Sequence, residues 1–182
     1  MLTWIIIGIV AIIALFCWSL YNGLISLKNQ VDNSWAQIDV QLKRRADLIP
    51  NLIETVKGYA KHEKTVFEQV TKARSAMLSA ETIPQKAKAA DALSGTLKSL
   101  FAVAEDYPKL QANTNFLQLQ EELSGTENKI AYARQNYNDR IMEYNTKIEV
   151  FPNNIFANML HFGKRESFAV TEEEKKPVKV SF

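Results

Sequence analysis

The chain opens with an apolar run. Residues 2–20, LTWIIIGIVAIIALFCWSL, contain no charged side chain. At about 1.5 Å per residue, a helix of this length approaches the ~30 Å thickness of the hydrocarbon core of a bilayer. Trp4 lies near one end of the run, and Trp18 and Tyr21 lie near the other, where aromatic rings commonly meet lipid headgroups. The pattern predicts a membrane-spanning helix whose lipid contacts come from Leu2, Trp4, Ile5, Ile6, Ile7, Ile9, Val10, Ile12, Ile13, Leu15, Phe16, Trp18 and Leu20.

A cleaved signal peptide is the alternative interpretation of this run. No Lys or Arg precedes it, it is longer than the apolar core of a typical signal peptide, and no small-x-small cleavage site follows it. We therefore expect residues 1–22 to be a retained anchor. Lys28 follows the run and nothing basic precedes it, which favours a short outer N-terminus and a cytoplasmic body.

The apolar stripe continues past the anchor into polar sequence. Between Leu20 and Leu42, apolar residues recur at steps of three and four, which is typical of one face of a helix. Because Pro50 lacks a backbone N–H and crowds the carbonyl of Ala46, we expect this helix to kink or restart there. The stripe is longer than a compact bundle would cover, so a second copy of the chain is its simplest cover. The candidates for contact with that copy or another partner are Leu24, Leu27, Val31, Trp35, Ile38, Leu42, Arg44, Arg45, Asp47 and Pro50.

Three further helices are predicted by the same spacing. A second stripe runs from Leu52 to Met77, and a third helix is expected from about Gln85 to Asp106, before the helix-ending pair Tyr107-Pro108. The fourth has apolar residues seven apart, at Phe116, Leu123, Ile130, Tyr137, Tyr144 and Phe151. Long helices with few breakers predict an all-α fold, a coiled-coil-like helical domain over residues 23–163.

Asparagines follow the tyrosines of the fourth helix, at Tyr137-Asn138 and Tyr144-Asn145. Asn costs a helix roughly 0.6 kcal/mol relative to Ala, so these residues either form hydrogen bonds that set register or are solvated positions beside a core. Both interpretations remain open from the sequence.

After Pro152 the pattern of apolar and polar residues changes. Residues 155–162 predict a short amphipathic helix. Beyond it, apolar and polar residues alternate, which predicts two short strands in an extended tail over residues 164–182. Such strands could pair with each other or add to a neighbouring copy, whereas a disordered charged tail is the alternative. The further candidates for contact between copies are Val178, Val180 and Phe182.

The composition and the motifs limit the kinds of binding or catalytic site that the sequence predicts. The 22 basic and 20 acidic residues are interspersed and give a net charge of +2, so no nucleic-acid-binding surface is predicted. His62 and His161 lack a second ligand at the spacing of a helical zinc site, and no glycine-framed Ser or glycine-rich phosphate loop occurs. Cys17 is the only cysteine, so no disulfide can form within the chain. We predict no catalytic residue, no cofactor, no metal site and no enzyme activity.

The densest charge cluster is Lys43-Arg44-Arg45. At the expected kink, its arginines could bind carboxylates or backbone oxygens of a partner. The alternative is pairing within the chain, to an acid such as Asp47, Glu54 or Asp139. Arg134 and Arg140 have the same two interpretations.

Several segments resemble the LemA family of bacterial membrane proteins. They are WAQIDVQLKRRADLIPNLIETVKGYAKHE at 35–63, YPKLQANTNF at 107–116, TENKIAYARQNYND at 126–139, YNTKIEVFPNNIFA at 144–157 and the closing VKVSF. The positions singled out within these motifs are Asn115, Phe116, Arg134, Tyr137, Asn138, Tyr144, Asn145, Phe151 and Pro152.

The resemblance implies one N-terminal helix spanning the cell inner membrane and a cytoplasmic antiparallel helical bundle. Genes of the family often lie beside one for an HtpX-like membrane zinc metalloprotease, and one relative belongs to the magnetosome membrane machinery. These associations imply a non-enzymatic scaffold or adaptor. With the apolar stripe, they lead us to expect a homo-oligomer, a ring or cage, that recruits or regulates such a metalloprotease. The alternative is a membrane-remodelling protein that acts directly on the bilayer.

Overall fold

The computed structural model describes residues 1–168. Within that range the secondary structure is helical and includes no strand. The helices are α1 (Leu2–Lys57), α2 (Lys64–Ser79), α3 (Ile83–Glu105), α4 (Pro108–Gln111), α5 (Thr114–Glu149) and α6 (Asn153–Met159). The predicted all-α class is confirmed for this part of the chain. The strands expected in the tail, with Val178, Val180 and Phe182, lie outside the described residues.

Helix α1 excludes a restart, one of the two outcomes expected at Pro50. It runs without interruption from Leu2 to Lys57, so Pro50 neither ends the helix nor restarts it. The break comes instead at Gly58, a poor helix former, where the backbone N–H groups of Tyr59 and Ala60 both bond to the Val56 carbonyl. The stripe that we assigned to one second helix is therefore shared between the end of α1 and α2.

Helices α3 and α5 begin at side-chain caps. At the start of α3, the Thr82 hydroxyl accepts from the Gln85 backbone N–H, and the Gln85 side-chain oxygen accepts from the Thr82 backbone N–H. These two bonds form a capping box. At the start of α5, the Asn113 side chain accepts from the backbone N–H of Phe116 at 3.0 Å. The bounds predicted for the third helix, about Gln85 to Asp106, are within two residues of those observed for α3.

The chain divides into two compact units, and α1 and α5 contribute to both. The first unit combines Met1–Gln37 with Gln135–Ser167. Its α1 and α5 segments meet where the rings of Trp35 and Tyr137 lie 5.6 Å apart. Its buried residues include Leu24, Val31, Tyr137, Ile141, Tyr144 and Ile148.

The second unit comprises Ile38–Arg134 and includes Phe168. Its helices form a bundle in which α3 and α5 run antiparallel, because Asp91 pairs with Arg134 at one end and Phe101 contacts Phe116 towards the other. The core residues of this unit are contributed by the four long helices and include Ile38, Leu42, Ile49, Leu52, Val70, Met77, Leu93, Leu97, Leu100, Phe116, Leu123 and Ile130.

Candidate functional site

The N-terminal part of α1 has the properties of a membrane anchor. Among the described residues, α1 is the helix long and apolar enough to cross a membrane, and none of its apolar window is buried. Every residue from 1 to 16 is exposed, including the large side chains of Trp4 and Phe16. Of the predicted lipid contacts, only Leu20 is partly covered by protein. Exposed apolar side chains in this number suit lipid rather than water.

The apolar stripe that follows the anchor is buried within the chain. Leu24, Val31, Ile38 and Leu42 are buried, and the remaining members Leu27 and Trp35 are partly covered. We expected this stripe to need a second copy as its cover, and that reasoning was wrong because the chain's own fold covers it. These six side chains are core residues, so an interface between copies must use another surface.

The arginines after the stripe pair within the chain. Arg44 contacts Glu122 at 2.7 Å, and both side chains are half exposed. Arg45 is buried, pairs with Glu127 at 2.6 Å and donates to the Ser94 hydroxyl at 3.0 Å. Burial lowers the pKa of the Arg45 guanidinium, whereas the Glu127 carboxylate opposes that shift. Arg45 is therefore unavailable to a partner.

The acids that complete these pairs are not those named from the sequence. Both acids belong to α5, about eighty residues along the chain from the arginines. Asp47 is exposed and contacts Lys43 instead, at 3.6 Å. Beside the Arg44–Glu122 pair, an open polar groove of about 770 Å³ is lined by residues that include Asn51, Asn115, Gln118 and Lys129.

The carbonyl freed by Pro50 has a partner that the sequence did not reveal. Ala46 is buried, and its carbonyl accepts from Nε of Arg74 at 2.7 Å. This bond replaces the one that a backbone N–H at position 50 would have made, which explains how α1 continues through Pro50. Arg74 belongs to α2 and lies outside the Lys43-Arg44-Arg45 cluster that was singled out from the sequence.

The Tyr-Asn pairs of α5 bind the segment that follows α6. Asn145 donates to the Arg165 carbonyl and accepts from the Arg165 backbone N–H, both at 2.9 Å. The hydroxyls of Tyr144 and Tyr137 donate to the carbonyls of Gly163 and Glu166, at 3.1 and 3.2 Å. Of the two interpretations of these residues, hydrogen bonding holds for Asn145. Asn138 is partly buried, so it is not a fully solvated position.

These tyrosines titrate abnormally. Burial raises the pKa of Tyr144 and of Tyr137 above its ordinary value, and the Arg165 guanidinium opposes the shift in both. Neutral hydroxyls are therefore favoured, and a neutral hydroxyl is the form that can donate to a carbonyl.

The other family-motif positions have separate roles. Arg134 pairs with Asp91 at 3.0 Å and stacks over the Phe168 ring at 4.5 Å. Phe116 is buried and its ring meets that of Phe101 edge to face. Phe151, the last heptad position, lies beyond the end of α5 and is exposed, and the peptide bond that joins it to Pro152 is cis.

Metal-binding side chains do not cluster in residues 1–168. No group of three or more His, Cys, Asp or Glu in that range could hold a metal ion. His62 and His161 are both exposed and lie in different units. The absence of catalytic, cofactor and metal sites stays a prediction from the sequence.

One surface of α1 was missed by the sequence reasoning. A shallow groove of about 530 Å³ directly after the anchor has an uncharged lining, made of Asn22, Ile25, Ser26, Asn29, Gln30 and Asn33. All of these except Ile25 are exposed. We call this surface the polar face of α1. The sequence contains one indication of this surface, which is the absence of charged residues on the side of α1 opposite the apolar stripe.

Together, the exposed apolar helix and the bundle define the class of protein, a membrane-associated helical-bundle protein. The chain belongs to the LemA family, whose model matches residues 34–182. The family predicted from the sequence motifs is therefore confirmed.

Three relatives show how far the similarity extends. Protein LemA of Metamycoplasma hominis is 29% identical over 164 residues, which cover 88% of this chain and 74% of that protein. Magnetosome protein MamQ 2 of Paramagnetospirillum magneticum is 23% identical, with 90% of this chain and 69% of the relative covered. Magnetosome protein MamQ of Magnetospirillum gryphiswaldense is 24% identical, with 81% and 64% covered. The similarity thus spans most of the chain.

Proposed function

We propose that this chain is a non-enzymatic scaffold, anchored in the cell inner membrane with its body in the cytoplasm. Copies associate through the polar face of α1 into a ring or cage, and the assembly recruits or regulates another membrane protein. The apolar anchor and the Lys/Arg asymmetry around it support the location. The polar face supports the self-association.

The polar face is the observation that carries the proposal. It begins at Asn22, directly beyond the apolar run, and continues to Asn33 without a charged side chain. Asp32, which lies next to this face on α1, contacts Arg165 at 3.4 Å. Uncharged side chains can be covered by another copy without the cost of desolvating a charge, and amide groups can form hydrogen bonds that set register between helices.

Membrane attachment favours this contact further. Anchors in one bilayer are confined to a plane and share one orientation, so less rotational and translational freedom is lost when two copies meet. Small residues such as Ser26 let helix backbones approach closely near the membrane. A modest surface is therefore enough for association.

The partner that we propose is a membrane zinc metalloprotease of the HtpX-like kind. Support comes from the gene neighbourhood that the family resemblance implies. The MamQ relatives are named as magnetosome proteins. We take their names as support for a role in a membrane assembly rather than in catalysis.

Cysteine crosslinking in native membranes tests the self-association. In a Cys17→Ala background, Ser26→Cys places a thiol on the polar face, and Ser124→Cys is the matched control on an exposed position of α5. Mild oxidation should give disulfide-linked dimers with Ser26→Cys only. Equal yields from the two variants, or a clean monomer for the full-length protein in mild detergent, would refute the proposed interface.

A second experiment addresses the partner and the remodelling alternative. Photocrosslinking from the body of the full-length protein in its native membrane should capture a membrane protein that can be identified by mass spectrometry. The purified protein should leave the shape of lipid vesicles unchanged. Vesicles tubulated by the protein alone would favour direct membrane remodelling over a scaffold.

A further inference from the structure

We propose that residues 150–163, which include α6, form a second membrane-contact surface that inserts shallowly into the bilayer beside the exit of α1. The inference concerns the first unit only and does not depend on self-association or on a metalloprotease partner. The surface consists of the exposed side chains of Val150, Phe151, Ile155, Met159 and Leu160.

The exposed side of this segment is mostly apolar, with Asn158 and His161 as its exposed polar residues, whereas an ordinary surface helix exposes mainly polar residues. Ile155 and Met159, one helical turn apart, are 56% and 65% exposed, whereas Asn153 and Ala157 on the other side of α6 are buried. A surface helix in water normally buries its apolar stripe and exposes polar residues. Phe151, which precedes α6, is 78% exposed. A cluster of this kind marks an interaction surface.

The composition of the segment fits the same environment. Residues 150–163, VFPNNIFANMLHFG, contain no Asp, Glu, Lys or Arg. Charged residues flank the segment on both sides, and the two flanking residues, Glu149 and Lys164, form an ion pair with each other. The segment can therefore enter the boundary between headgroups and acyl chains without burying a charge, while its charged borders stay in the headgroup region.

The position of the segment identifies the bilayer as the occupant. The Phe162 ring packs against Tyr21 with ring centroids 6.4 Å apart, and Tyr21 directly follows the apolar run of α1. Phe162 is joined to α6 by a bond from its backbone N–H to the Ala157 carbonyl at 2.9 Å. These contacts tie α6 to the end of the membrane-spanning run, which is where the headgroup region of the bilayer would lie.

Depth-dependent quenching tests this contact in the full-length chain. Single cysteines at Met159 and Ile155, in a Cys17→Ala background, carry an environment-sensitive fluorophore, and the protein is reconstituted into phosphatidylcholine vesicles. The vesicles contain lipids with a nitroxide near the top of the acyl chain.

The control is Met142→Cys on α5. It replaces the same residue type at nearly the same exposure, 66%, within the same unit. Tyr137 lies against Trp35, which is about 21 Å along α1 from Tyr21, and Met142 is about 7.5 Å along α5 from Tyr137. Met142 therefore lies roughly 13 Å or more from the end of the membrane-spanning run.

We expect a blue-shifted emission and strong quenching at Met159 and Ile155, and neither change at Met142. Quenching at Met159 no greater than at Met142 would overturn the proposal. So would a disulfide between the Met159→Cys side chains of two copies in place of quenching, because the occupant would then be another chain. Failure of this experiment leaves the Ser26→Cys crosslink unaffected, so the two proposals fail separately.

Discussion

Removing the carboxylate from the buried Arg45 pair should cost more stability than removing the guanidinium. The Arg45 side chain is 5% exposed, whereas its partner Glu127 is 48% exposed. Within the described residues, Nε of Arg45 has no hydrogen-bond partner, so the guanidinium depends on Glu127 and Ser94 for its compensation. Glu127→Gln leaves a buried positive charge without its counter-ion.

The magnitudes follow from this difference in exposure. Breaking a fully buried pair typically costs 3–5 kcal/mol, and because Glu127 is half exposed we expect about 1–3 kcal/mol for Glu127→Gln. Arg45→Met keeps similar volume and leaves a carboxylate that water can reach, so we expect less than about 1 kcal/mol. In the double variant the cost of Glu127→Gln should largely disappear, since no buried charge remains.

The neighbouring pair supplies a matched control. Arg44 and Glu122 are 48% and 50% exposed and lie 2.7 Å apart on the same two helices. Glu122→Gln should change the free energy of unfolding by no more than about 1 kcal/mol. The assay is urea unfolding of the full-length protein in detergent micelles, followed by far-ultraviolet circular dichroism. A Glu127→Gln variant as stable as Glu122→Gln, or an Arg45→Met variant less stable than Glu127→Gln, would refute the reasoning.

Three further predictions concern bonds seen in both units. Arg74→Met should lower the free energy of unfolding by about 1–3 kcal/mol in the same assay, because it leaves the buried Ala46 carbonyl without a hydrogen-bond donor. In a Pro50→Ala background, which restores a backbone donor, the cost of Arg74→Met should be smaller. Equal costs with Pro50 and with Ala at position 50 would contradict this. Asn145→Ala should speed hydrogen exchange at the Arg165 amide, whereas Asn145→Asp, which can still accept from that amide, should have a smaller effect; unchanged exchange in Asn145→Ala would contradict it. The raised pKa of Tyr144 means that its bond to Gly163 stabilises the fold fully below pH about 10 and is lost as pH rises through the higher folded value. The pKa values of Tyr137 and Tyr107 are raised as well. Tyr144→Phe should therefore reduce the amplitude of the late-titrating tyrosinate absorbance without abolishing it, and an unchanged amplitude in that variant would argue against the assignment.

Periodicity predicted most of the helical fold correctly. The heptad spacing of α5 identified its buried face, from Phe116 to Tyr144. The apolar stripe on α1 was also located correctly. The residues that cover it were not, because the spacing of apolar residues shows which face of a helix is apolar and does not show whether the same chain covers that face. The break at Gly58 was missed because the apolar spacing continues across it from Val56 to Val66.

The sequence predicted only those features of the candidate site that depend on residues close together in the chain. The loss of the N–H at Pro50 correctly identified the Ala46 carbonyl as a free acceptor, since that follows from residues four apart. Arg74 could not be identified as its partner, because that bond joins helices that only the tertiary fold brings together. The same applies to Glu127 and Arg45.

The way Asn145 holds Arg165 has a consequence for variation in this chain. The amide contacts the main chain at position 165, through both its N–H and its carbonyl, and takes no account of the side chain there. Any residue except proline, which lacks the N–H, can keep both bonds. A substitution at position 165 can therefore remove the ion pair with Asp32 and still leave both main-chain bonds in place, whereas a substitution at position 145 should disturb the path of the segment whatever residue occupies position 165.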